Sequence, residues 1–196
     1  MKEFLKYFRP KLKEYDTLLS GNIIAQERLR KIGVLDGPTA VSIGATGPVL
    51  RASGVAHDLR KVEPYGVYEK VRFEVPVGTI GDCWDRYWVR LEEIRQSLSI
   101  IEQLIDNIPE GKHLVMKPAV KIKIPEGCYY SQVETPRGIL GIFIVSDGGE
   151  SPYRIHVRTP NFNNLWVITA TATGGRVADL VAILSSLDIV VPDVDR

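Results

Sequence analysis

The amino-acid sequence predicts an α+β fold, mainly helical, in which a long central helix lies beside a small antiparallel sheet. Three observations lead there. From Asp82 to Ile108 the apolar residues Trp84, Tyr87, Trp88, Leu91, Ile94, Leu98, Ile101, Leu104, Ile105 and Ile108 recur at helical steps. Tyr129 to Glu134, Gly138 to Ser146 and Tyr153 to Arg158 are strand-like runs separated by turn residues, Pro136-Arg137-Gly138 and Asp147 to Pro152. No internal repeat or low-complexity linker divides the 196 residues, so residues 1–196 read as a single unit.

The elements follow in order. Phe4, Leu5, Phe8, Leu12, Tyr15, Leu18 and Leu19 mark an amphipathic opening helix, which Pro10 kinks or restarts. After Ser20-Gly21-Asn22 a short helix is expected from Ile23 to Ile32, stopped by Gly33. Another is expected from Pro38 to Ile43, because proline is tolerated in a first helical turn. Gly44 to Gly54, dense in glycine and proline, reads as a loop. Val71, Phe73 and Val75 alternate with Arg72 and Glu74 as a strand would. Asp82 is placed to cap the long helix, and Asp85 adds negative charge to its first turn. Pro118 to Ile124 reads as extended, Val177 to Leu187 as a buried helix. The apolar residues Ile189, Val190, Val191 and Val194 predict a tail packed inward.

Composition removes several function classes. Twenty-five Lys and Arg balance twenty-four Asp and Glu, leaving a net charge of +1 and no basic field for nucleic acid. No apolar run is long enough for a membrane span or a signal peptide, so membrane association is expected only through partners. Cys83 and Cys128 form no C-x-x-C pair and read as buried small apolar side chains. His57, His113 and His156 are isolated, with no metal-ligand spacing, and no dinucleotide, phosphate-loop or nucleophile-elbow motif occurs. No catalytic or metal-binding residue is therefore assigned.

Three segments carry more than average. Thr46 to Gly54 with Asp58-Leu59-Arg60-Lys61 holds Arg51 and Arg60, planar multi-donor groups that need carboxylate or carbonyl partners. Glu134-Thr135-Pro136-Arg137-Gly138, with Tyr153 to Arg158, sets Arg137 and Arg154 on tight turns and a strand. These four arginines are read as structural or interface residues. The third segment is the tail, Asp188 to Arg196, whose apolar residues are unlike those of a frayed chain end.

Taken together, TGPVLRASGVAHDLRKVEPYGVYEKVRFEVPVGTIGDCWDRYWVRLEEIRQSLSIIEQ, ETPRGILGIFIVSDGGESPYRIHVRTPNFNNL and RVADLVAILSSLDIVVPDVDR resemble the carboxy-terminal half of the D-type subunit of NADH-quinone oxidoreductase, respiratory complex I. That family is homologous to the large subunit of nickel-iron hydrogenases, which implies a hydrogenase-large-subunit-like fold. The resemblance implies a peripheral subunit on the cytoplasmic side of the cell membrane. In it quinone is the substrate, an iron-sulfur cluster sits on a neighbouring subunit, and NADH is bound by others. It also implies as partners the iron-sulfur subunit, the membrane-arm subunits and an amino-terminal half of the D-type subunit. By position, Val190, Asp195 and Arg196 correspond to tail residues that wall the quinone cavity. The hydrogenase tail carries a nickel-ligating C-x-x-C pair that this chain lacks. Three departures stand out. The half carrying the family's quinone-headgroup His and Tyr is not in this sequence. Ile139 replaces an acidic residue often found after Pro-Arg-Gly, and Thr173-Gly174-Gly175-Arg176 replaces a Lys-Gly-His type sequence. Alternatives are a non-catalytic assembly module, or the equivalent subunit of a ferredoxin- or deazaflavin-dependent complex.

Overall fold

A computed structural model describes residues 1–112, 114 and 123–195. His113, Arg196 and most of the expected extended stretch from Pro118 to Ile124 lie outside them. Helix α1 (Lys2–Tyr15) continues unbroken past Pro10 and on into a wide turn over Asp16–Ser20, so the sequence's alternative of two pieces does not arise. Helix α2 (Ile23–Leu29) starts at Asn22, whose side chain accepts from the Ile24 and Ala25 amides. It stops earlier than the expected Ile32. Helix α3 (Gly37–Ile43) is capped by Asp36 and closed by Gly44 in the left-handed region.

The expected loop from Gly44 to Gly54 is instead largely helix α4 (Gly47–Ala52), all six residues buried. Pro48 sits in the first turn, where its missing N–H costs nothing, so its presence permits the helix. Gly47, at φ +66°, faces the turn at Arg137-Gly138, and a Cβ there would lie 2.5 Å from Gly138 Cα. Helix α5 (Leu59–Val62) is capped by Asp58.

Val71, Phe73 and Val75 are extended but pair with no strand among the described residues. The long helix takes the partner's part. The Arg72 amide donates to Gln103 Oε1 at 2.9 Å, Gln103 Nε2 donates to the Arg72 carbonyl at 2.7 Å, and the Glu74 amide donates to Gln96 Oε1 at 3.0 Å. Two glutamines thus supply the hydrogen bonds that a neighbouring strand would have made.

Helix α6 (Cys83–Ile105), 23 residues and about 35 Å long, begins at Asp82, which accepts from the Asp85 amide at 2.8 Å. It reaches all three apolar clusters. Cys83 joins Leu35, Val49, Val167, Ile183 and Leu187; Leu91 and Leu98 meet Leu5 and Leu12 of α1; Ile100 meets Val71 and Phe73. Burying each leucine contributes about 1.5–3 kcal/mol. The sequence's apolar stripe does not match the buried face, however. Trp88 and Ile94 are partly exposed, while Arg86 is fully buried. The helix is covered on a second side that carries charge.

Strands β1 (Gly127–Thr135), β2 (Gly138–Ser146) and β3 (Arg154–Arg158) form an antiparallel meander in the order β1-β2-β3. The β1–β2 ladder closes with Thr135 opposite Gly138 around Pro136-Arg137. Helix α7 (Pro160–Ala172) has no counterpart in the sequence reading. It is anchored by amides more than by an apolar stripe: Asn161 and Asn164 are fully buried, and Asn163 Nδ2 donates to the Ile43 carbonyl. A short turn (Val177–Asp179) leads into α8 (Leu180–Leu187), which buries Ile183, Ser186 and Leu187 but exposes Val181. The tail ends in α9 (Val191–Val194). Ile189 packs on the core and Val191 is exposed, so only part of the tail packs inward. Cys83 is buried, but Cys128 lies exposed on β1, contrary to the sequence expectation. Among the described residues no helix is long and apolar enough to cross a membrane.

Candidate functional site

Parts of the three singled-out segments gather beside α6: Arg51 and Arg60 from the first, Glu134 and Arg137 from the second, and Asp188 from the tail. Arg51, on buried α4, is 1 % exposed and bonds in several directions. Its Nε and Nη2 each lie 2.7 Å from Glu93 Oε1 on α6. Its Nη1 donates to Glu134 Oε1 at 2.9 Å on β1 and to the His57 carbonyl at 2.9 Å. Asp58 stands 3.8 Å away and takes Arg60 as a two-point partner, at 2.9 and 2.6 Å. Glu134 also accepts from the Leu59 amide at 3.3 Å. Arg60 in turn lies over the rings of Phe73 and Tyr68, at 4.9 and 5.8 Å.

The environment splits the carboxylates. Burial alone would raise Asp58, but the Arg60 hydrogen bond and the Arg51 charge hold it below the usual carboxylate range. For Glu93, burial prevails over Arg51 and raises its pKa. Burial also pushes Arg90 down to about 10, against the opposing charge of Asp188. Arg90 Nη1 donates to the carbonyls of Arg86 and Ser186, at 2.8 and 2.6 Å, and its buried Nε has no partner among the described residues.

Two cavities meet here. One of about 480 Å³ is lined by charged groups, including Arg51, Arg60, Arg90, Glu93, Glu134 and Asp188. The other, about 530 Å³, is a mostly apolar groove under the tail, formed by Leu165, Leu184, Ser185, Ile189, Val191 and Val194, again with Asp188. Asp188 lies on both.

Of the sequence-predicted residues, Arg51, Arg60 and Arg137 join this region, Arg137 through Asp188 at 3.0 Å. Arg154 stands apart, exposed on β3. Val190, half-buried, and Asp195, exposed, flank α9 at its two ends; Arg196 lies outside the described residues. The groove itself is lined by Val191 and Val194, which the sequence marked as inward-packing tail residues but not as site residues, and its neighbour by Arg90 and Glu93. The missed signal was charge on the long helix: Arg86, Arg90 and Glu93 recur at steps of three and four. The tail is pinned by Thr159 Oγ1, which donates to the Asp193 carbonyl at 2.6 Å, and by Asn161 Nδ2, which donates to Asp193 Oδ2 at 2.9 Å.

The sequence model of the respiratory-chain NADH dehydrogenase 49 kDa subunit matches residues 1–123 and 116–196. The chain belongs to this family. Within the 49 kDa family it is 48 % identical over 194 residues to the D-type subunit of NADH-quinone oxidoreductase of Desulforamulus reducens, covering 99 % of this chain and 53 % of that protein. It is 51 % identical over 197 residues to the C/D-type subunit of the Bacteroides thetaiotaomicron enzyme, covering 100 % of this chain and 37 % of that one. The chain thus spans about half, or less, of the length of these relatives. A chain from the solved structure of a membrane-bound sulfane sulfur reductase, an archaeal respiratory membrane complex, superposes with a TM-score of 0.93. It is 43 % identical, over 100 % of this chain and 54 % of that one. The mainly helical fold with its small sheet is therefore that of a subunit from the complex I class.

Proposed function

We propose that this chain supplies one wall of the quinone-reduction pocket of a NADH-quinone oxidoreductase, together with part of the scaffold of its peripheral arm. The observation that carries the reading is the meeting of an apolar groove with a charged cavity at Asp188. A hydrophobic ring or tail suits the first and polar positioning suits the second. Reduction of a quinone to a quinol consumes two electrons and two protons. In this reading the electrons come from an iron-sulfur cluster on a neighbouring subunit, and NADH is bound by others.

The chain's own residues exclude water and orient. Val191 and Val194 line the groove, with Val190 at the start of the same turn. The resemblance adds Asp195 as a charged residue at the tail end, together with Arg196, which lies outside the described residues. Residues 1–196 act as one unit equivalent to the carboxy-terminal half of the D-type subunit. Its partners are an amino-terminal half, the iron-sulfur subunit and membrane-arm subunits, which place it peripherally on the cytoplasmic side. Exposed Phe162, Trp166, Val181 and Val191 give such partners apolar surface to cover.

The likeness to a sulfane sulfur reductase chain favours a second reading, in which the same scaffold serves a membrane complex with a different electron donor or acceptor. Val191→Trp and Val194→Trp, which fill the groove, separate the two. In native membranes carrying the assembled enzyme, both are expected to raise the quinone KM or blunt quinone-site inhibitors. Unchanged quinone kinetics in both would contradict the pocket assignment.

A further inference from the structure

Helix α8 ends in an unusual way. Asp188, the residue after its last turn, has φ 55° and ψ 49°, the left-handed region that few non-glycine residues adopt. Three guanidinium groups from elsewhere in the chain hold this turn. Arg86 Nε donates to Ser186 Oγ at 2.9 Å, and Arg90 Nη1 donates to the Ser186 carbonyl at 2.6 Å. Arg137, from the β1–β2 turn, donates through Nε to the Asp188 carbonyl at 3.0 Å and through Nη2 to Asp188 Oδ1 at 3.3 Å. Cations belong at this end of a helix, where carbonyls lack intrahelical partners and carry the negative end of the dipole.

The left-handed residue decides where the chain goes next. Ile189 returns to the core, and the following turn carries Val191 and Val194 into the wall of the apolar groove. Asp188 also lines the charged cavity and a third one, beside Tyr15, Leu19 and Tyr87. Three cavities therefore share one backbone turn, and its conformation sets the partition between them. We propose that Arg90, Arg137 and left-handed Asp188 form a latch that aims the tail and fixes the shape of the groove, making them positioning residues for whatever the groove binds. Assigning that occupant as quinone rests on the reading above.

Arg90 is part-buried with its Nε enclosed, so its removal risks the fold; Arg137 and Asp188 are more exposed and test the latch more safely. Four variants of the full chain serve: Arg137→Gln, Arg137→Lys, Asp188→Gly and Asp188→Val. Hydrogen exchange of the amides of residues 189, 190, 191, 193 and 194 is followed beside those of α6. Losing the Arg137 contacts, discounted for their exposure, is expected to speed tail exchange about three- to tenfold, with α6 unchanged. Asp188→Val, which opposes the left-handed backbone as well, speeds it more than Asp188→Gly, which tolerates that backbone and loses only the carboxylate. Arg137→Lys, keeping the charge and one donor, recovers part of the protection. In membranes carrying the assembled enzyme, Arg137→Gln raises the KM for a short-chain quinone and leaves kcat in place. Wild-type tail exchange in Arg137→Gln, or equal exchange in the two Asp188 variants, overturns the latch. Faster tail exchange with an unmoved KM keeps the latch and overturns quinone as the occupant.

Discussion

Replacing Arg51 with methionine removes the cation at the centre of the buried cluster while keeping a side chain of comparable reach. Glu134, 3 % exposed, and Glu93, 15 % exposed, then lose their shared partner, and the His57 carbonyl loses a donor. Removing one member of a buried ion pair costs about 3–5 kcal/mol, because the charge left behind keeps its desolvation penalty and loses its compensation. For a domain of this size each kcal/mol moves Tm by about 2–4 °C, so the variant should unfold roughly 6–20 °C lower. Fluorescence of Trp84, Trp88 and Trp166 in a thermal ramp reads this directly. Two refinements test the cause. Arg51→Lys keeps the charge but lacks the planar fork whose separate nitrogens span both carboxylates and the carbonyl, so it falls between wild type and Arg51→Met. Adding Glu93→Gln and Glu134→Gln to Arg51→Met removes the stranded charges and should recover much of the loss. The sign with pH is also set. Burial raises Glu93 even beside Arg51; without that cation its folded pKa stands further above the unfolded value, so the part of the defect that Glu93 carries shrinks as pH falls and grows as it rises. An Arg51→Met protein within about 1 kcal/mol of wild type at neutral pH, by the same measure, would refute the argument.

Gly47→Ala should destabilise by more than about 2 kcal/mol, because it adds left-handed backbone strain to a Cβ 2.5 Å from Gly138 Cα; denaturant unfolding measures it, and a neutral result would mean that α4 and the β1–β2 turn can separate freely. The wild-type chain should lose stability on acidification through Asp58, whose folded pKa lies below its unfolded value. Its contribution is present above the ordinary carboxylate pKa near about 3.9 and disappears as pH falls through the depressed folded value. Asp58→Asn should flatten that part of the profile.

The long helix, the meander and the short helix after Asp36 were legible because their signals are local: a period, a cap, a turn. Arg51 and Arg60 also announced a need for acceptors. Which acceptors was not legible, since Glu93 and Glu134 lie 42 and 83 residues from Arg51 and no periodicity links them. Helix α4 was hidden by its own composition, since glycine and proline that usually break helices here occupy its first turn. Helix α7 was hidden because Asn161, Asn163 and Asn164 anchor it through hydrogen bonds where an apolar stripe would have been visible. The Val71 segment has the alternation of a strand, but glutamine side chains meet its hydrogen bonds. The site failed to show for a related reason. Arg86 and Arg90 look like solvated positions on a helix, and only tertiary packing makes them the clamp on Ser186.

Affinity purification of the tagged chain from its native membranes, with mass spectrometry of what accompanies it, tests the central claim most directly. Recovery of an amino-terminal half of the D-type subunit, with iron-sulfur and membrane-arm subunits, is the predicted result. A protein recovered alone, with none of these, would contradict a role in quinone reduction and leave an assembly module or an isolated fragment in its place.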